Sequence, residues 1–131
     1  MQEIWRDVPG YERLYQVSNY GSVRSVDRII KDNNRTRLYK GKPLKQFLDH
    51  KGYCVVTISK QGSLKQIKVH RLVGMAFIPN TEGHPEINHK DENPKNNRVD
   101  NLEWCTAQYN LHYGTKYARM VATKKAKNGK Q

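Results

Sequence analysis

The chain has 131 residues, enough for one domain or one domain with a small appendage. Hydrophobic residues make up 36%, and 24 Lys and Arg against 12 Asp and Glu leave a net charge of +12, which points to a polyanionic partner. No apolar run is long enough to span a bilayer, MQEIWRDV carries no signal-peptide core, and the two cysteines, Cys54 and Cys105, lack the neighbours of a disulfide framework or a zinc site, so a reducing cytoplasm is expected.

In chain order, IWRDVPGYERLYQVSNYGSVRSV reads as strands joined by tight turns at VPGY and SNYGS. DRIIKDNNRTRLYKGKPLKQF is a basic stretch with Asn33–Asn34 at a loop tip. HKGYCVVTISKQGSLKQIKVH predicts a hairpin that turns at Gln61–Gly62, with Tyr53, Val55 and Thr57 on one face and Cys54, Val56 and Ile58 on the other. The period then changes: Leu72, Val73, Ala76 and Phe77 make a helical face that Pro79 stops. A polar loop follows, then LEWCT as a short strand. Thr106 is the expected N-cap of a helix over AQYNLHYG, broken at Gly114, and a basic helical tail ends the chain. Trp104, Leu102, Phe77 and Leu72 are the expected small core of the second half; Trp5, Tyr15 and Tyr53 are expected to pack the β-rich first half.

Charge is segmental. Residues 22–71 hold 13 basic and 3 acidic residues, residues 72–103 hold six acids and three bases, and no acid follows Glu103. Basic flanks enclosing a mildly acidic centre fit a polyanion held by the flanks and a cation held in the middle. The centre is EINHKDENPKNNRVDNLEWC, with five asparagines and one histidine. Strand, loop, strand and helix form a compact ββα unit that can bring a strand residue and a helix residue to one point. An imidazole beside oxygen ligands is what metal-assisted phosphodiester hydrolysis needs: a base near neutral pH and a hard cation against the developing charge. Asn93, Asn96, Asn97 and Asn101 can close the loop by capping backbone groups. From the loop's composition alone, an ordinary surface histidine in an Asn-rich turn is the favoured reading.

The run Val69-His-Arg-Leu-Val, Phe77, Ile87-Asn-His-Lys-Asp91, Asn96-Asn, Asn101-Leu-Glu-Trp104 and Asn110 resembles the HNH endonuclease family, in the branch of phage and intron-encoded homing endonucleases. The opening Trp5-Arg-Asp-Val-Pro-Gly-Tyr, Tyr15-Gln-Val-Ser-Asn and Gly21-Ser-Val-Arg-Ser25 resembles the small NUMOD4 DNA-binding module that precedes such nucleases. The resemblance implies an α+β fold: an N-terminal antiparallel β module, then a helix and a ββα-metal nuclease unit. The implied boundaries are a β-rich module over 1–68 (motif about 4–26), a nuclease unit over 69–118 and a basic tail over 119–131, too short for the further C-terminal DNA-reading domain of longer relatives. Carried over by residue, His89 is the general base, Asn101 fixes the loop that aims it, and Asn110 is a metal ligand on the helix. Position 88, often Asp in the family, is the other metal ligand; here it is Asn88, which offers an oxygen but no charge. Asp91 is expected to shape the turn, His70 to be structural, and His112 to point away from the ligand face.

The resemblance thus implies a site-specific endonuclease acting on double-stranded DNA with one Mg²⁺ or Mn²⁺, or, as the alternative that Asn88 keeps open, a catalytically degenerate DNA-binding protein. A basic RNA- or ribosome-binding protein would explain the charge but not the ordered histidine and asparagines. The expected DNA contacts are Arg24, Arg28, Arg35, Arg37, Lys42, Lys45, Lys68 and Arg71. One HNH set predicts a monomer that nicks one strand, in the cytoplasm of a bacterial host and encoded by a phage or mobile element.

Overall fold

Small β-branched residues facing inward build the N-terminal half from short antiparallel strands. The computed structural model describes the backbone of residues 1–128 and the side chains of residues 1–115 and 117–123. Strands β1 (Trp5–Asp7), β2 (Tyr15–Ser18) and β3 (Val23–Ser25) form a sheet in the order β1-β2-β3. Their inward residues Tyr15, Val17 and Val23 are buried, as the period-2 pattern requires. The basic stretch is a regular hairpin, β4 (Arg28–Asp32) with β5 (Arg35–Tyr39), paired from Arg28↔Tyr39 to Asp32↔Arg35 around Asn33–Asn34. Strands β6 (Phe47–Leu48), β7 (Cys54–Lys60) and β8 (Ser63–Lys68) form the third sheet. The β7–β8 turn at Gln61–Gly62 has both residues at positive φ (51° and 80°), whose twist matches that of antiparallel strands. The two-residue β6 lies next to a loop rich in Lys and Gly, where no alternation marks it.

Helix α1 (Val69–Phe77) is the wall shared by both halves. Val69, Leu72 and Val73 are fully buried and join Val8, Val17, Val56 and Ile58 of the β-rich half and Ile87 and Leu102 of the polar half in one hydrophobic cluster. Fully burying each such aliphatic side chain contributes about 1.5–3 kcal/mol, which makes this cluster the main adhesive. Gly74 lets α1 lie close: a Cβ there would stand 2.4 Å from Ile87 Cδ1 and 3.2 Å from the Trp104 ring. Trp104 Nε1 donates to the carbonyl of Ile78, just past the helix, at 2.9 Å.

Strands β9 (Glu86–His89) and β10 (Leu102–Cys105) pair antiparallel, joined by the long loop and a 3-10 turn at Val99–Asn101. Thr106 caps α2 (Ala107–His112), its Oγ1 accepting from the Tyr109 amide at 3.1 Å. Helix α3 (Lys116–Asn128) follows Gly114 and takes in most of the expected basic tail; residues 129–131 lie outside the described residues. The expected α+β architecture is the one observed. Tyr53 departs from expectation: it precedes β7 and stacks on His70, centroids 5.2 Å apart, instead of packing the β core. No helix among the described residues is long and apolar enough to cross a membrane.

Candidate active site

Alternation along β9 puts Glu86 and Asn88 on one face and Ile87 and His89 on the other. The register sets Glu103 opposite Asn88 and Leu102 opposite His89. Asn88 is fully buried, and its Nδ2 donates to Glu103 Oε1 at 3.1 Å. From α2, Asn110 Nδ2 donates to Glu86 Oε1 at 2.9 Å. Both amides expected as metal ligands thus spend their N–H donors on carboxylates, which fixes the direction of their oxygens. Asn88 Oδ1 is, among the described residues, the one buried side-chain polar atom without a hydrogen-bond partner. Such an orphan costs about 1–3 kcal/mol, which a cation held there would offset. An oxygen donor set of this kind, its two amides oriented by Glu103 and Glu86, fits a hard divalent cation.

The loop between the strands closes on Asp91 and Asn101. Asn101 Oδ1 accepts from the Asp91 amide at 3.0 Å, and its Nδ2 donates to Asp91 Oδ1 and the Asn96 carbonyl, each at 2.9 Å. Asp91 also receives the Asn93 amide and Asn96 Nδ2, both at 2.8 Å. Hydrogen bonds from Asn96 and then Asn93 hold its carboxyl below the usual range. Most of the loop's amides are therefore scaffold. Asn97 is not: it is buried, and His89 Nε2 bonds its Oδ1 at 2.8 Å, with the His89 ring 2% exposed. Since an amide oxygen only accepts, this bond calls for the tautomer with its proton on Nε2, which leaves Nδ1 as the basic nitrogen.

His89 lies against two more rings, His70 at 5.0 Å and Tyr53 at 5.9 Å between centroids. Burial, then the positive charge of His89, Lys68 and Arg71, pushes the His70 pKa down to about 3, so His70 is neutral at physiological pH. One cleft lines His89 with Lys51, Tyr53, Glu92, Pro94 and Arg119. The adjoining cleft, about 280 Å³, brings Asn110, Glu86, His70, Lys68 and Arg71 together and shares Lys51 and Tyr53. Lys68 stands 4.8 Å from the Tyr53 ring, and Arg71 donates to the Pro85 carbonyl at 3.0 Å.

The other expected DNA contacts lie elsewhere. Arg24 stacks on Trp5 at 3.9 Å and bonds Gln16; Arg28 lies 4.8 Å from the Tyr39 ring; Arg35 and Arg37 are exposed on β5, and Lys42 and Lys45 on the following loop. The residues that sequence reasoning missed are Asn97, Tyr53, Lys51 and Glu103. Only Asn97 had a signal, as one of two adjacent asparagines near His89, and nothing local says which of the pair turns inward.

Residues 68–112 match the family model described as HNH endonuclease, and residues 3–59 match that of the NUMOD4 motif. An uncharacterized HNH endonuclease of Acanthamoeba polyphaga mimivirus is 40% identical over 97 residues, which are 74% of this chain and 29% of that protein. DNA endonuclease I-HmuI of Bacillus phage SP01 is 37% identical over 107 residues, 82% of this chain and 55% of its own length. The chain therefore spans about half or less of the length of these curated relatives. The solved structure of the HNH homing endonuclease I-HmuI, which binds and cleaves DNA, superposes with a TM-score of 0.67 at 33% identity, over 94% of this chain and 68% of that one. With His89 and Asn110 standing on the strand and the helix of a ββα unit, behind a NUMOD4 motif and along the course of that structure, the chain belongs to the HNH endonuclease family.

Proposed function

We propose that this chain is a metal-dependent endonuclease that hydrolyses phosphodiester bonds of duplex DNA, nicking one strand at a specific site as a homing-type enzyme. The single observation that carries the reading is the buried pair on β9: a histidine whose Nε2 is bonded by Asn97, preceded in sequence by Asn88, whose buried oxygen has no hydrogen-bond partner among the described residues. His89 Nδ1 takes the proton of the water that attacks phosphorus. Asn101 holds the loop, and with it the strand end that carries His89. Asn88 and Asn110 would hold the divalent cation, Mg²⁺ or Mn²⁺, which offsets the charge growing on the phosphate and the leaving oxygen. Lys51, Lys68 and Arg71 draw the phosphate backbone into the adjoining cleft. Arg24, Arg28, Arg35, Arg37, Lys42 and Lys45 extend that basic surface over the β-rich half, so the division of labour we infer is a DNA-holding module over 1–68 and a cutting unit over 69–118.

One HNH set attacks one phosphodiester at a time, so the enzyme works as a monomer, in the cytoplasm of a bacterial host and on behalf of a phage or mobile element. Supercoiled plasmid incubated with Mg²⁺, Mn²⁺ or EDTA tests the reading. Open circles should accumulate before linear DNA, with metal only, and light scattering should give the monomer mass. Binding without any cleavage in either metal would make the chain a degenerate DNA-binding protein. Linear product formed directly by a dimer would contradict the nicking reading.

A further inference from the structure

Asn97 sits where the two halves of the molecule meet. Its Cβ, carbonyl oxygen and carbonyl carbon lie 2.9, 3.0 and 3.2 Å from where a Cβ on Gly21 would stand. Gly21, at φ +89°, belongs to the β2–β3 turn of the N-terminal module, in a conformation that L side chains rarely adopt. Two residues further along the loop, the Val99 amide donates to the Asn19 carbonyl of the same turn at 2.9 Å. Between them, the Arg98 guanidinium lies 4.4 Å from the Tyr20 ring. The turn is itself anchored. Asn19 bonds Ile4 through its backbone and side chain and bonds the Gln2 carbonyl, and Gln46 Nε2 donates to the Gly21 carbonyl at 2.8 Å. From the turn inward there is one further step, the 2.8 Å bond from His89 Nε2 to Asn97 Oδ1, between two buried side chains.

We propose that Asn97 is a positioning residue that holds His89 in its Nε2-protonated tautomer, and that the Asn19–Gly21 turn of the N-terminal module is the seat that places Asn97. The DNA-binding module is then a structural part of the active site as well as a tether for DNA. A glycine at position 21 follows, because the bare backbone lets the 96–99 segment settle against the turn. The proposal rests on the reading of His89 as the base, since only then does the proton's place on the ring decide the rate: with Nε2–H engaged, the lone pair faces the reaction from Nδ1.

The test reads the ring first and the rate second. In the full-length protein without DNA, at mildly alkaline pH, imidazole ¹⁵N shifts of His89, identified by their loss in His89→Gln, should give protonated Nε2 and unprotonated Nδ1. Asn97→Ala should leave a mixture of tautomers. It should also lower the single-turnover nicking rate on the order of 10- to 100-fold, as loss of an orienting partner does, with DNA affinity held within about twofold. Gly21→Ala, which reaches His89 only through Asn97, should move tautomer and rate in the same direction. A parent His89 protonated at Nδ1 overturns the proposal without any variant, and so does an Asn97→Ala protein whose tautomer stays fixed. If the tautomers mix while nicking persists at the parent rate, the bond stands and the assignment of His89 as base fails.

Discussion

The β4–β5 hairpin and the β9–β10 ribbon are both two-stranded antiparallel units, and they use their side chains in opposite ways. On the hairpin, most residues are exposed and long: Lys31, Arg35 and Arg37 stand in solvent, and even Ile29 and Leu38, a directly opposed pair, are 67% and 66% exposed. On the ribbon, Ile87, Asn88, His89 and Leu102 are all buried, and the polar ones are short, rigid and hydrogen-bonded. Holding a polyanion tolerates side-chain freedom, because the attraction is long-ranged and spread over many contacts. Aiming one proton acceptor does not, because a misplacement of about 1 Å can cost on the order of 10²-fold in rate.

That contrast breaks most visibly at His89. His89→Ala should lower nicking by on the order of 10²–10⁴, with duplex DNA affinity nearly unchanged. Nicking near the parent rate would remove His89 from the chemistry.

Asn88 sharpens it next. From the sequence, Asn88→Asp is expected to lower the Mg²⁺ requirement by adding charge at the ion. In the structure Glu103 faces position 88 across the ribbon, so that variant exchanges an N–H donor for a second carboxylate. The paired change Asn88→Asp with Glu103→Gln restores the donor and keeps the added charge on the metal side. The pair should bind Mn²⁺ more tightly than the single variant, by a few-fold or more in a direct titration. Equal affinities would mean that residue 103 does not orient residue 88.

On the hairpin side, replacing Arg35 and Arg37 together by Ser should weaken DNA binding and reduce the slope of log affinity against log salt by about 2, since each phosphate contact contributes about 0.9. The single-turnover rate at saturating DNA should hold. An unchanged slope would move the DNA-binding surface elsewhere.

The smallest effect expected concerns His70. Its folded pKa, about 3, lies below the ordinary value of 6.5, so the fold favours the neutral ring. Stability from this group is complete above pH 6.5 and is lost as pH drops through the window between 6.5 and about 3. His70→Phe keeps a ring against Tyr53 and should flatten that part of the acid limb in urea titrations. An unaltered limb would mean that His70 protonates without loss of structure.

Much of this contrast was legible in the sequence. Period-2 alternation marked β2 and β7, Thr106 and Gly114 bounded α2, and the polar run announced a loop that caps itself. The ordered His89, Asn101 and Asn110 carried the family. What stayed hidden depends on contacts distant in sequence. Tyr53 reads as a strand aromatic until His70, 17 positions on, turns out to stack on it. Asn97 and Asn96 are indistinguishable as letters; Gly21, far upstream, packs against Asn97. Glu103 reads as a surface acid in LEWC, and only the β9–β10 register sets it against Asn88.

The central claim, that one region holds DNA and another cuts it, is tested most directly by measuring DNA affinity and single-turnover nicking side by side for the parent, His89→Ala and the Arg35/Arg37 variant. The account predicts that His89→Ala loses rate and keeps affinity, while the hairpin variant loses affinity and keeps its rate at saturation. Rate and affinity falling together in both variants would contradict it.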